Sequence, residues 1–359
     1  MSDTSGPTRV ISNFEAKLSE ADTAVASFQR DDRTLIHLAR GFLRSNPTAI
    51  PGLVLLLSVL VFGILAPRFL TANTLSVVLQ QVTVTGIVAI AQTIIILTAG
   101  IDLSVGAMLV MCTIIMGKLA VVAGVPTIPA IIIGIFFGGL MGWLNGMLVT
   151  YIKLPPFIVT LGTLSVFTAL KLWYSHSESI RNSDIEEKAP ALLWFGNGIS
   201  VNGASITYGG LALLVLAFIV WYMLSRTAWG RHVHALGDDP EAAMLAGIRT
   251  KRTLVSVYTF AGAICGFAAW VAIGRVGSAS PQAFETINLD SITAVVIGGT
   301  SLFGGRGSIA GSVLGAMIVG VFNTGLALAG VDDYWQLFAA GNLVIVAVAL
   351  DQWLRRASQ

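Results

Sequence analysis

The sequence predicts an all-α polytopic membrane protein with about ten transmembrane helices and both termini cytoplasmic. Three observations carry this. Hydrophobic residues make up 55% of the 359, and only 11% are charged, with a mean hydropathy of +0.81. Soluble domains carry about 25% charge, so a water-facing surface cannot be built from this composition. The apolar residues fall in runs close to the ~20 residues a helix needs to cross hydrocarbon. Lys and Arg gather in segments that such spans would place on one side.

Taken in order, 1–48 reads as a charged cytoplasmic tail, part of which, 13–44, has helical character. No cleavable signal is visible, because this segment lacks an apolar core. The transmembrane domain, 49–353, then contains spans at 50–66, 75–97, 104–122, 128–151, 157–173, 208–224, 254–274, a shorter one at 292–300, 308–329 and 335–350. A short tail, 354–359, follows. Orientation comes from the cations. Arg9, Lys17, Arg30, Arg33, Arg40 and Arg44 precede the first span, Arg226, Arg231, Arg249, Lys251 and Arg252 flank the loop 226–252, and Arg355 and Arg356 close the chain. Together these are most of the 21 Lys and Arg, and they predict a cytoplasmic side. The loop 174–207, with Glu178, Asp184, Glu186 and Glu187, falls on the opposite, periplasmic side.

Small residues recur at helical spacing. Gly134, Gly138, Gly142 and Gly146 share one face of the fourth span, and Gly307, Gly311 and Gly315 repeat the device in the ninth. Such faces let helix backbones approach closely where no hydrophobic effect drives association. Two stretches interrupt the apolar pattern, AGIDLSVG at 99–106 and GGTSLFGGRGS at 298–308. Both are expected to be tight cytoplasmic turns, with Asp102 capping the third span. A part in lining or gating the path is the alternative, since broken helices at membrane depth are tolerated around a cavity. Asp102, Ser104, Asn145, Thr160, Thr163, Thr300, Ser301 and Arg306 are the pathway or gating candidates. Gln80, Gln81, Gln92 and Asn323 could likewise hydrogen-bond a polar solute or simply cross-link helices.

A short polar island between spans, 230–251, has the grammar of one short helix. Asp238 and Asp239 offer caps, Pro240 suits the first helical position, Glu241 complements the dipole and Gly247 suits the left-handed position that ends a helix. About two turns long, it is too short to be stable alone, and it makes sense if something outside the membrane holds it.

Other chemistries find no support. There is no GxxxxGK[ST] phosphate loop, no HExxH and no CxxC, so neither a catalytic set, a metal site nor a cofactor is expected, and any ATP hydrolysis belongs to another chain. Cys112 and Cys265 sit in apolar stretches and read as packing residues. Ion-coupled carriers place paired ionisable groups at mid-membrane, and nearly every span here is free of charge.

GIDLSVGA (100–107), PPFIVTLGT (155–163), GRHVHALGDDPEAAMLAGI (230–248) and AVVIGGTSLFGGRGSIAG (294–311) resemble the permease subunits of bacterial ABC importers for monosaccharides, over about residues 46–353. The Asp238-Asp239-Pro240 run and the AVALDQW ending look most like the fructose-type members, with ribose or xylose the other options. The resemblance implies an inner-membrane permease working as a pair, two ATP-binding subunits beneath it and a periplasmic sugar-binding protein above. It also implies that 226–252 is the coupling loop, in which Gly237, Asp238, Asp239, Pro240, Glu241, Ala242, Ala243 and Gly247 meet the ATPase. Two other readings stand beside this one: a self-powered transporter or facilitator, and an ABC permease for another small polar solute.

Overall fold

The computed structural model describes residues 48–201 and 203–356; most of the N-terminal tail, including 13–44, and the last three residues lie outside them. Ten helices stand close to the ten expected spans: α1 (Ala49–Leu65), α2 (Ala72–Leu97), α3 (Val105–Gly117), α4 (Thr127–Tyr151), α5 (Pro156–Ser175), α7 (Tyr208–Arg226), α10 (Thr250–Val276), α11 (Ile287–Ile297), α12 (Ile309–Leu328) and α13 (Asp333–Arg356). Of the described helices seven are long and apolar enough to cross a membrane, counting α3 together with the π-helical turn Lys118–Val122 that extends it; α1, α11 and the apolar part of α13 are shorter. The smaller elements are α6 (Asn182–Lys188), a 3-10 turn (Pro190–Gly196), a hairpin of β1 (Gly198–Val201) with β2 (Ala204–Thr207), α8 (Ala228–Asp238) and α9 (Pro240–Leu245).

Several helix starts are fixed by a hydroxyl three residues ahead of an orphan N–H. Thr71 caps α2 through the Thr74 N–H at 3.3 Å, Thr207 caps α7 through Gly210 at 3.4 Å, and Ser308 caps α12 through Gly311 at 3.0 Å. These caps satisfy donors that neither the helix nor lipid could accept. The bundle is built around α2, in which every residue from Val82 to Leu97 is buried. Helix α3 is buried along almost its whole length, whereas α1, α5 and α7 turn large apolar side chains such as Ile64, Trp173 and Phe218 outward.

Backbone proximity does the packing where lipid removes the hydrophobic incentive. Helices α4 and α10 run antiparallel, and a Cβ on Gly138 or Gly142 would collide with the Gly262 or Tyr258 carbonyl oxygen. Gly146 faces the Val255 backbone, and Gly134 faces Met116 of α3. Gly311 and Gly315 lie in the same way against Gly298 and Ala294 of α11. Gly307 is a correction: it precedes α12, and its neighbour is the Thr300 side chain. Hydroxyls add cross-links, among them Thr93 Oγ1 to Ser312 Oγ at 2.7 Å and Thr324 Oγ1 to Gln81 Oε1 at 3.1 Å.

The two ends of α10 define the two ends of the bundle. At its C-terminal end Trp270 Nε1 donates to the Ala191 carbonyl at 3.0 Å, and Ile180 pairs with Ala279. The 174–207 loop therefore folds over this end as α6, the 3-10 turn and the hairpin. At the other end Trp229 of α8 donates to Ser256 Oγ at 2.9 Å, so the polar island sits there.

Candidate functional site

The island contains two helices rather than one. The sequence reading missed α8, whose Trp229, Val233 and Leu236 recur at the spacing of one helical face; Val233 and Leu236 are buried. Thr227 begins it by accepting from the Gly230 N–H at 3.3 Å. The second helix, α9, starts where expected. Asp239 Oδ1 accepts from the N–H groups of Glu241 and Ala242 at 2.9 and 3.0 Å, and Pro240 occupies the first helical position. Asp238 does not share in this cap; it ends α8. At the far end Gly247 takes φ +83°, and the N–H groups of Gly247 and Ile248 close on Met244 and Ala243. Ala243 faces inward, Ala242 and Glu241 are exposed, and Met244 and Leu245 project their apolar chains 60% and 86% exposed. A two-turn helix that presents Met and Leu outward is a surface waiting to be covered.

Where α8 ends, three separate segments touch. Gly237 packs on the carbonyl of Leu97, the last residue of α2, with no room for a Cβ, and the Gly305 N–H donates to that same carbonyl at 3.0 Å. Gly304 and Gly305 have φ of +86° and +73°, a region open to glycine, and the chain there lies against Gly237, Asp238 and Ala99. The junction thus ties the island to both interruptions of the apolar pattern. Leu97–Ala99 leads on to α2 and α3, and Gly304–Gly305 lies between α11 and α12.

One step deeper lies Asp102, fully buried. It was expected to cap the third span, and its one backbone bond is to the Ser104 N–H, where that span was expected to begin. Ser104 is the N-cap residue, without a side-chain cap bond, and Asp102 braces it instead. Asp102 Oδ1 accepts from the Ser104 N–H at 2.7 Å and from its hydroxyl at 2.6 Å. Asn145 Nδ2, from α4, reaches Asp102 Oδ2 at 3.2 Å and Ser104 Oγ at 2.8 Å. Thr160 of α5 donates to the Ile101 carbonyl at 3.1 Å. A carboxylate held by three donors from two elements is a stable clamp, since buried charge demands such satisfaction. Tyr258 of α10, which the sequence did not single out, places its buried hydroxyl beside Gly100.

The expected residues therefore fall into separate places. Asp102, Ser104, Asn145 and Thr160 form one buried cluster at the first interruption, and Thr163 lies one turn further along α5, buried. Thr300 and Ser301 are buried in the second interruption, where the Ser301 N–H donates to the Arg306 carbonyl at 2.9 Å; the Arg306 side chain is exposed. Cys112 and Cys265 are both free and buried. No group of three or more His, Cys, Asp or Glu that could hold a metal occurs among the described residues. The geometry places an exposed short helix next to a junction of backbone contacts that joins both breaks in the bundle.

Residues 74–348 match the family of branched-chain amino acid transport system permease components. The chain belongs to this family of transport permeases, multi-pass proteins of the bacterial inner membrane, and is a permease component rather than an ATPase. Among its relatives, the fructose import permease protein of Rhizobium meliloti is 49% identical over the full length of both chains. The ribose import permease protein of Bacillus subtilis is 39% identical over 84% of this chain and 92% of its own. The D-allose transport system permease protein of Escherichia coli is 35% identical over 84% and 91%. No solved structure matches the chain.

Proposed function

We propose that this chain is the membrane subunit of an ATP-driven importer and passes a monosaccharide inward, fructose first, with ribose or xylose next. The observation that carries the reading is the 49% identity to a fructose import permease over every residue of both chains. Two permease copies stand side by side, separate ATP-binding subunits lie on the cytoplasmic face, and a periplasmic binding protein delivers the sugar. The tails 1–48 and 354–359 and the loop 226–252 are cytoplasmic, and 174–207 is periplasmic. Helix α9 seats in a groove of the ATP-binding subunit, which covers Met244 and Leu245, with Glu241 and Ala242 at the contact. When the ATPases close, α9 moves, and the junction at Gly237 carries that motion to both breaks. The bundle then switches between inward and outward access as a two-state element. Asp102, Ser104, Asn145 and Thr160 hold the first break in one shape through the switch, and Thr300 and Ser301 hold the second.

The test is co-purification of the permease with its ATP-binding subunits. Met244→Asp with Leu245→Asp is expected to abolish the complex while leaving the permease monodisperse. A complex of undiminished yield contradicts the seating of α9.

A further inference from the structure

Of the polar residues that the sequence places inside spans, Gln92, Asn145, Thr160 and Thr163 are buried between helices. Gln81 and Asn323 are not. They line a cavity of about 370 Å³ bounded by α2, α11, α12 and α13, within the ~300–1,000 Å³ of small-molecule sites. It lies toward the hairpin end of the bundle: five residues before Gln81, Ser76 of α2 accepts from the Ser205 N–H of β2 at 2.7 Å. The island is at the opposite end.

The groups that converge there suit one chemistry. Asp290 projects a carboxylate from α11; Thr286 donates to its Oδ2 at 3.1 Å, and Oδ1 remains for another donor. Gln81 uses its Oε1 to accept from Thr324 at 3.1 Å, which leaves its amide nitrogen for an acceptor. Asn323 adds an amide from α12, Gln336 borders the space from α13 with its Nε2 donating to the Val331 carbonyl at 2.7 Å, and Leu289 supplies an apolar wall. Among the described residues no Lys, Arg or His lines the space. Asp290 is half-buried in the first turn of α11, and an ionisable residue lining a cavity of a membrane bundle is a candidate for a solute path.

We infer that this cavity is a monosaccharide subsite on the entry half of the permease, an inference that rests on the sugar-importer reading above. Adjacent ring hydroxyls donate to Asp290, the amides of Gln81 and Asn323 pair with further hydroxyls, and the C–H face of the ring lies on Leu289. A sugar phosphate is rejected, because its charge meets a carboxylate and finds no cation. An amino acid is rejected for the same want of a partner for its own carboxylate.

The test uses the importer reconstituted in proteoliposomes with its ATP-binding subunits and binding protein. In the Asn323→Cys permease, the rate of labelling by a small methanethiosulfonate reagent is measured without sugar, with fructose and with fructose 6-phosphate. Both native thiols are buried and give little background. Fructose should slow labelling at 323 at least threefold and the phosphate should not; Gln336→Cys serves if Asn323→Cys does not assemble. Asp290→Asn should lower fructose uptake at least tenfold while ATP hydrolysis stimulated by the binding protein stays within twofold. If the unaltered importer takes up fructose but neither thiol is protected and Asp290→Asn transports normally, the subsite is wrong and the importer reading survives. If the unaltered importer takes up no monosaccharide, the importer reading fails and the subsite with it.

Discussion

Substituting Gly237 by alanine puts one methyl group into the junction that links the island to both breaks. The added Cβ would overlap the Leu97 carbonyl oxygen and come within 2.7 Å of the Gly305 nitrogen. Both atoms are backbone, so neither can rotate away. The hydrogen bond they share, 3.0 Å long, must open. A hydrogen bond of this kind is worth about 1 kcal/mol net, and overpacking against an unyielding wall adds about 1–3 kcal/mol. Alanine returns at most ~1 kcal/mol through its better helix propensity. The closed junction is then less stable by about 1–3 kcal/mol, a factor of roughly 5–150 in a two-state equilibrium. The assay is ATP-driven sugar uptake alongside ATP hydrolysis in the reconstituted importer. Under the proposed seating of α9, uptake should fall at least fivefold while hydrolysis continues, because the α9 contact is kept and the junction behind it is not. Unchanged uptake by a correctly assembled Gly237→Ala importer would refute the junction as a transmission point.

The remaining predictions concern packing, the clamp, the island and sidedness. Gly142→Ala should lower the thermal midpoint in detergent, since overpacking against the Tyr258 carbonyl costs about 1–3 kcal/mol. Gly162→Ala, with nothing within 4 Å, should raise it through up to ~1 kcal/mol of helix propensity; shifts of the same sign would contradict the α4–α10 contact. Asp102→Ala strands the Ser104 N–H and hydroxyl donors and should cost about 2–6 kcal/mol at ~1–3 kcal/mol per unsatisfied buried group, read as a lower midpoint and reduced uptake. Wild-type values for both would make the carboxylate incidental. Gly247→Asn should retain uptake and Gly247→Val should lose it, because asparagine tolerates the left-handed region and a β-branched residue does not. Equal uptake by the two would separate function from the end of α9. Finally, Leu245→Cys and Ile199→Cys, both exposed positions, should react with impermeant reagents from opposite faces, the first from the cytoplasm. Labelling from one face alone would overturn the ten-span topology.

Much of the architecture was legible because membrane helices announce themselves by length and apolarity. The fourth span was expected at 128–151 and runs Thr127–Tyr151. Errors cluster where polar residues interrupt the pattern for a tertiary reason. Helix α11 begins at Ile287, five residues before the expected start, and its first turns carry the polar residues Asn288, Asp290 and Ser291. Two of these are explained by their settings: Asp290 faces the cavity, and Asn288 packs against Gly106. Helix α8 was hidden by its charges, although its apolar spacing was available. The Asp239 cap was readable because capping is local. The bond between Asp102 and Asn145 was not, since 43 residues separate them and one sequence carries no sign of their meeting. The same holds for the Leu97–Gly237–Gly305 junction. Glycine reports that something comes close, and only the fold says what.

The most direct test of the importer reading is uptake of radiolabelled fructose, ribose and xylose into proteoliposomes holding the permease, its ATP-binding subunits and the binding protein. The comparison is with the same assembly carrying an inactivated ATPase site. Uptake of one sugar, fructose first, that requires ATP and disappears with the ATPase site is the expected result. Uptake that persists without ATP hydrolysis would make this chain a self-sufficient carrier and leave the exposed helix α9 without its partner.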